Sequence, residues 1–141
     1  MPRKIVRAVV DTNLWISFLI TKDFTFIDNL LVTGKVKLLF SEEFFVEFLH
    51  VVKRPKMRKY FSSDMVEDLI SLFKIYGEIV HVESRLTLCR DPKDDFLLSL
   101  SVDGKADYLV TGDSDLLDLR KVGNTRIVTI KAFLALFRRH A

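Results

Sequence analysis

The sequence predicts an α/β fold of three layers, α/β/α, with a central, mostly parallel sheet covered by helices on both faces. Two observations carry that expectation. Short β-branched or aliphatic runs alternate, along the whole chain, with stretches whose apolar residues recur at three- and four-residue steps. The strand-like runs are also apolar with little polar alternation, which marks strands buried on both sides. At 141 residues, with 49% hydrophobic residues, the chain is one domain's worth (1–141) and can bury about two-thirds of its unfolded surface. With Gly 5 and Pro 3 it has no linker-rich segment, and no internal repeat or low-complexity stretch divides it.

Taken in order, residues 4–10 form a β-branched run ending at Asp11, the first strand. Residues 13–20 open a helix with Thr12 or Asn13 as cap. Phe24, Phe26, Ile27, Leu30 and Leu31 have helical spacing over 24–32, and Gly34 follows as a stop. Residues 37–40 are a second strand. Ser41 starts a helix through about Lys53, ended near Pro55. A basic connection, 56–60, leads to a helix capped by Ser62 or Ser63 and ended by Gly77. Residues 79–82 read as a strand, 94–103 as a helix, 108–111 as a strand, 114–117 as a helical turn, 126–129 as a strand and 130–138 as the last helix.

Lys+Arg 22 against Asp+Glu 19 gives a net charge of +3, which permits nucleic-acid binding without demanding it. One cysteine excludes an internal disulfide scaffold and favours a reducing compartment. Arg7, Asp11 and Asn13 interrupt the N-terminal apolar run, and its uninterrupted part, 14–20, is too short to span a membrane. The expectation is a cytoplasmic protein with no targeting segment and no membrane partner.

The acids carry the functional argument. Ligands of open α/β sheets sit outside the carboxyl ends of the strands. Asp11 ends the first strand, Asp113 follows the 108–111 strand, and Asp94 and Asp95 begin a helix after a loop. Glu47 lies on a helix that is apolar almost all round, and with Glu43, His50 and Arg54 it forms one narrow polar stripe at steps of four, three and four. If Asp11, Glu47, Asp95 and Asp113 converge, each carboxylate pair at ~4 Å repels by about 4 kcal/mol at an effective dielectric of ~20. Protons or a divalent cation must offset that. Oxygen-only ligands suit Mg²⁺ or Mn²⁺, and the scattered histidines His50, His81 and His140 show no zinc spacing. Such a centre suits phosphodiester hydrolysis.

At these residues the sequence resembles the PIN-domain family, in particular the VapC-like toxins of toxin–antitoxin pairs. The matching pieces are Val9-Val10-Asp11-Thr12-Asn13 with Ser17, then Ser41 through Glu47, then Arg90-Asp91-Pro92-Lys93-Asp94-Asp95, then Leu109 through Leu117 with Thr111-Gly112-Asp113-Ser114-Asp115 at their centre. The resemblance implies an endoribonuclease that needs Mg²⁺ or Mn²⁺, with RNA as substrate and an antitoxin protein as partner. It puts the acids on Asp11, Glu47 and Asp113, and a third on Asp95 or Asp94. Asp95 is preferred, with Asp94 as a supporting or alternative ligand. Asp11 and Asp113 would be the core metal ligands, Asp95 would bind directly or through water, and Glu47 would hold a water. Asn13, Ser17 and Thr111 match polar positions that orient the acids, and Asp115 is auxiliary.

The densest basic run supplies candidate phosphate contacts at Lys53, Arg54, Lys56, Arg58 and Lys59. The same run could instead dock an acidic antitoxin tail. Arg90 reads as a structural ion pair, Cys89 as a small buried residue, and Trp15 as a core anchor. The apolar helices 24–32 and 44–52 leave room for a homodimer face or an antitoxin groove. Two other readings compete: an idle module of the same fold that acts by binding, and a receiver-like phosphoacceptor with Lys131 after the last strand.

Overall fold

The computed structural model describes residues 5–138; the start of the predicted first strand at Lys4, and His140, lie outside them. Six strands form one sheet: β1 (Val6–Val10), β2 (Val36–Phe40), β3 (Gly77–Ile79), β4 (Tyr108–Val110), β5 (Lys121–Val122) and β6 (Thr125–Val128). Their order is β3-β2-β1-β4-β6-β5. Every neighbouring pair is parallel except β5 and β6. Six helices connect them: α1 (Thr12–Thr21), α2 (Glu42–Val52), α3 (Ser63–Tyr76), α4 (Pro92–Asp103), α5 (Ser114–Leu117) and α6 (Ile130–Arg138).

Strand alternation builds the two outer layers. Ala8 and Val10, Leu38 and Phe40, and Val110 turn to one face, where they meet Trp15 and Phe18 of α1, Phe44 and Phe48 of α2, Phe73 of α3 and Phe133 of α6. Val9, Leu39 and Leu109, the residues between, turn to the other face against Leu97, Leu98 and Leu100 of α4 and Leu116 of α5. Trp15 is the expected core anchor. It is fully buried, with Phe73 5.0 Å away and Phe18 and Phe26 each 5.8 Å away, centroid to centroid, all edge-on.

The apolar surplus of the two suspect helices is mostly internal. Phe26, Ile27, Leu30, Leu31, Phe44, Phe48 and Val52 are buried, while Val32 and Val46 stay exposed. The predicted 24–32 helix closes as a π-helical turn, Ile27–Leu31, and Gly34 follows at φ 79°. The basic connection contains a 3₁₀ turn at Pro55–Met57.

Most boundaries shift by only a residue or so, and three departures from the sequence expectation have a physical reason. The third strand starts at Gly77, where 79–82 was expected, because the chain turns straight from α3 into the sheet. A Cβ on Gly77 would stand 2.5 Å from the Phe40 ring and 2.5 Å from the Phe73 carbonyl, so only glycine fits this close approach. The helix expected from Asp94 starts at Pro92, since Asp91 supplies its cap. Strand β5 was not expected; it pairs with β6 through the two-residue turn Gly123-Asn124. No helix among the described residues is long and apolar enough to cross a membrane.

Candidate active site

The sheet order reverses between β1 and β4: β2 and β3 lie on one side, β6 and β5 on the other. Carboxyl ends of strands at such a reversal open a crevice. Here it is a cleft of about 510 Å³, whose walls include Asp11, Asn13, Glu43, Glu47, Arg54, Lys93, Asp94 and Asp113. The acids arrive from four different elements, as their positions after strands and at helix starts predict.

Three of them are also helix caps. Asp11 Oδ1 accepts the backbone N–H of Asn13 at 3.0 Å, Asp91 Oδ1 that of Lys93 at 2.9 Å, and Asp113 Oδ1 that of Asp115 at 2.9 Å. Asp11, and not the expected Thr12 or Asn13, caps α1, and the same three capping carboxylates line the cleft. The starts of α1, α4 and α5 present their N–H groups to the carboxylates, which partly offsets acid repulsion.

Thr111 ties two acids together. Its hydroxyl donates to Asp11 Oδ2 at 2.8 Å and accepts the backbone N–H of Asp113 at 3.1 Å. Thr111 is fully buried and Asp11 is buried, so the link is shielded from water.

Asp94 is the strained acid. It is buried, and its pKa is pushed up from 3.8 to about 6, first by burial, then by the Asp113 charge and a hydrogen bond to Asp113, with Asp91 and Asp11 adding to it. Carboxylate oxygens of Asp94, Asp113 and Asp115 lie within 4.8 Å of one another. At that distance and an effective dielectric of ~20, two full charges repel by about 3 kcal/mol. All the donors are carboxylate oxygens, which is the ligand chemistry of a hard divalent ion such as Mg²⁺ or Mn²⁺. The donor set fits the expected cofactor.

Asp95 turns the other way. Its Oδ1 accepts the backbone N–H groups of Leu88 (2.8 Å) and Cys89 (2.7 Å). Ser99 and Asp103, four and eight residues on, continue the same stripe: Ser99 Oγ accepts from Leu86, and Asp103 accepts from Glu83 and Ser84. The stripe straps the irregular 83–89 segment to α4. Of the adjacent pair, it is Asp94 that enters the cleft; the preference for Asp95 gives way to a strap role, because consecutive helical residues point about 100° apart. Asp115, taken as auxiliary, lies with Asp94 and Asp113 in the three-acid group.

Glu47 faces the cleft from α2, with its Oε1 3.2 Å from Lys93 Nζ. Its stripe mates Glu43 and Arg54 also line the cleft, whereas His50 lines a neighbouring concavity with Val46. Asn13 is at the cleft; Ser17 is not. Ser17 lines a separate groove between α1 and α6, with Leu14, Phe18 and Lys131. Lys131 is thus not among the residues of the acidic cleft, which removes the lysine a phosphoacceptor site would need. Of the basic run, Arg54 reaches the cleft, Lys53 and Arg58 line a groove with Phe61 and Ser63, Lys56 is exposed, and Lys59 sits 5.1 Å from the Tyr60 ring centre.

The sequence reading missed Lys93. It is a cation in the first turn of a helix, where acids are favoured. Arg90, read as a structural pair, meets Asp115 at 3.3 Å, with its own side chain 89% exposed. Cys89 is partly buried, and burial together with Asp95 and the neighbouring acids pushes its thiol pKa up, so it is a poor nucleophile.

Comparison with known proteins agrees with this fold. The family described as PIN domain matches residues 7–115, more than half of the chain. No curated protein matches it. Among solved structures, a chain in the crystal structure of VapBC2 from Rickettsia felis bound to a DNA fragment from their promoter is similar, at TM-score 0.57 and 15% identity, over 86% of this chain and 97% of that one.

Proposed function

The chain belongs to the PIN domain family, and from that premise we propose that it is a Mg²⁺- or Mn²⁺-dependent endoribonuclease, the toxin of a toxin–antitoxin pair. PIN domains are generally nucleases. The observation that carries the reading for this chain is the convergence of Asp11, Glu47, Asp94 and Asp113 on one cleft, with Asp115 clustered against Asp94 and Asp113.

In this reading Asp11, Asp94 and Asp113 hold the cation, with Asp115 beside them. A bound divalent cation supplies charge neutralisation at the phosphoryl group and makes a water more acidic. Thr111 keeps Asp11 and Asp113 at a fixed separation. Glu47, on the opposite wall, orients the attacking water and accepts its proton. Arg54, with Lys53, Lys56, Arg58 and Lys59 beyond it, tracks the RNA backbone. An antitoxin partner is supported by the VapBC2 likeness, since that structure holds a VapB–VapC assembly. A homodimer built on the exposed remainder at Val32 and Val46, in the cytoplasm, completes the proposal.

The test is RNA cleavage by the purified protein with Mn²⁺ and with EDTA. Asp11→Asn and Asp113→Asn should each abolish Mn²⁺-dependent cleavage, a loss of 10²-fold or more, while the protein still unfolds cooperatively. Cleavage at the wild-type rate in both variants would defeat the assignment.

A further inference from the structure

The turn Arg90-Asp91-Pro92-Lys93 straddles the acids. On one side Lys93 pairs with Glu47 at 3.2 Å; on the other Arg90 pairs with Asp115 at 3.3 Å. Its backbone is well anchored. Asp91 caps α4, Pro92 occupies the first turn, and Leu88 and Cys89 donate to Asp95. The side chains are not. Lys93 and Arg90 are 74% and 89% exposed, and their acid partners 43% and 42%. Exposed pairs of this kind contribute about 0–1 kcal/mol, so they exchange readily.

Neither cation is explained by helix stability. Lys93 opposes the dipole of α4, and Arg90 precedes its cap. Both acids they engage adjoin the proposed metal ligands. Asp115 is one of the three clustered carboxylates, and Glu47 faces the cleft. The cleft lining itself holds six acids (Asp11, Glu43, Glu47, Asp91, Asp94, Asp113) against two bases, Arg54 and Lys93. A phosphodiester is repelled from such a surface until positive charge enters it.

We propose that Arg90 and Lys93 act as a pair of exchangeable counter-ions: in the metal-free protein they neutralise Asp115 and Glu47, and when a divalent cation on the adjoining Asp11, Asp94 and Asp113 supplies that positive charge the two side chains turn outward and hold the RNA phosphates. Substrate binding is thereby coupled to metal loading, with the metal bound first. This rests on the nuclease reading and adds to it a role for two residues on the rim of the cleft. They are positioning residues, because they hold phosphates flanking the reacting one.

The experiment compares wild type with Arg90→Met, Lys93→Met, the double variant and Lys93→Arg. Mn²⁺ affinity is measured by calorimetry, and binding of a labelled single-stranded RNA by anisotropy, in Ca²⁺, across a salt series. Removal of a competing pair should tighten Mn²⁺ binding by up to about fivefold per residue, since each pair is worth at most about 1 kcal/mol. The double variant should bind RNA about tenfold more weakly, and its slope of log affinity against log salt should fall by about 1.4 for two lost phosphate contacts on a single strand. Lys93→Arg should keep the wild-type slope. Unchanged or weaker Mn²⁺ binding in the Met variants, or an unchanged RNA slope, would overturn the exchange. No Mn²⁺ uptake by the wild type would sink the nuclease reading itself and the exchange with it. Mn²⁺ uptake without the exchange signature leaves that reading standing.

Discussion

Asp94→Asn should stabilise the metal-free protein while destroying its cation site. The wild-type carboxyl titrates near 6 in the fold against 3.8 for its ordinary value, because burial and the Asp113 charge oppose its ionisation. A folded pKa raised above the unfolded one means that the folded state holds the proton more tightly. The associated stability is complete below about 3.8 and is lost as pH rises to about 6. About two pH units at 1.36 kcal/mol each give roughly 3 kcal/mol as the ceiling of the penalty carried at pH 7. Water entering the cleft lowers it, so a gain of about 1–3 kcal/mol is expected on removing the charge. For a chain of this size that is roughly 3–9 °C in Tm. The assay is thermal unfolding in EDTA at pH 7.5 and pH 4, then at pH 7.5 with Mn²⁺. The variant should melt above wild type at pH 7.5 in EDTA and match it near pH 4. Mn²⁺ should raise the wild type and leave the variant where it was. A variant that melts at or below wild type at pH 7.5 in EDTA, or that gains equally at both pH values, would refute the reasoning about Asp94.

Three further outcomes follow from neighbouring residues. Asp95→Asn should weaken the strap to Leu88 and Cys89 and lower stability by about 1–2 kcal/mol, with Mn²⁺ affinity within threefold of wild type by calorimetry. Thr111→Val keeps the shape but cuts the link between Asp11 and Asp113, so Mn²⁺ affinity should fall about 10-fold or more in the same titration. Gly77→Ala forces a Cβ against Phe40 and the Phe73 carbonyl and should lower stability in a urea melt by about 1–3 kcal/mol, without changing metal affinity.

Much of this was legible in the chain because period and burial act together. Runs such as Ala8-Val9-Val10 and Leu38-Leu39-Phe40 are apolar at every position and rich in β-branched or aromatic residues, as a strand between two layers is, and both are buried on both faces. Asp11 and Asp113 were readable because strand ends in such a sheet face one crevice. Asp94 and Asp95 were not separable from their position alone. The discriminating signal was the polar spacing Asp95, Ser99, Asp103, a stripe at four-residue steps that serves the 83–89 backbone and so excludes Asp95 from the opposite side. Strand β5 escaped because two residues carry no period; the Gly123-Asn124 pair, with Gly123 at φ 55°, was its local mark. Ser17 was grouped with the acids by likeness, yet it lies six residues from Asp11, about 1.7 turns, so α1 has carried it about 240° round to a different groove.

A Mn²⁺-soaked crystal measured at the manganese edge addresses the metal centre itself. An anomalous peak among the carboxylates of Asp94 and Asp113, in contact with Asp11 and with Asp95 still bonded to the 88–89 backbone, is the predicted result. A peak on Asp95, or no peak in the cleft at millimolar Mn²⁺, would contradict it.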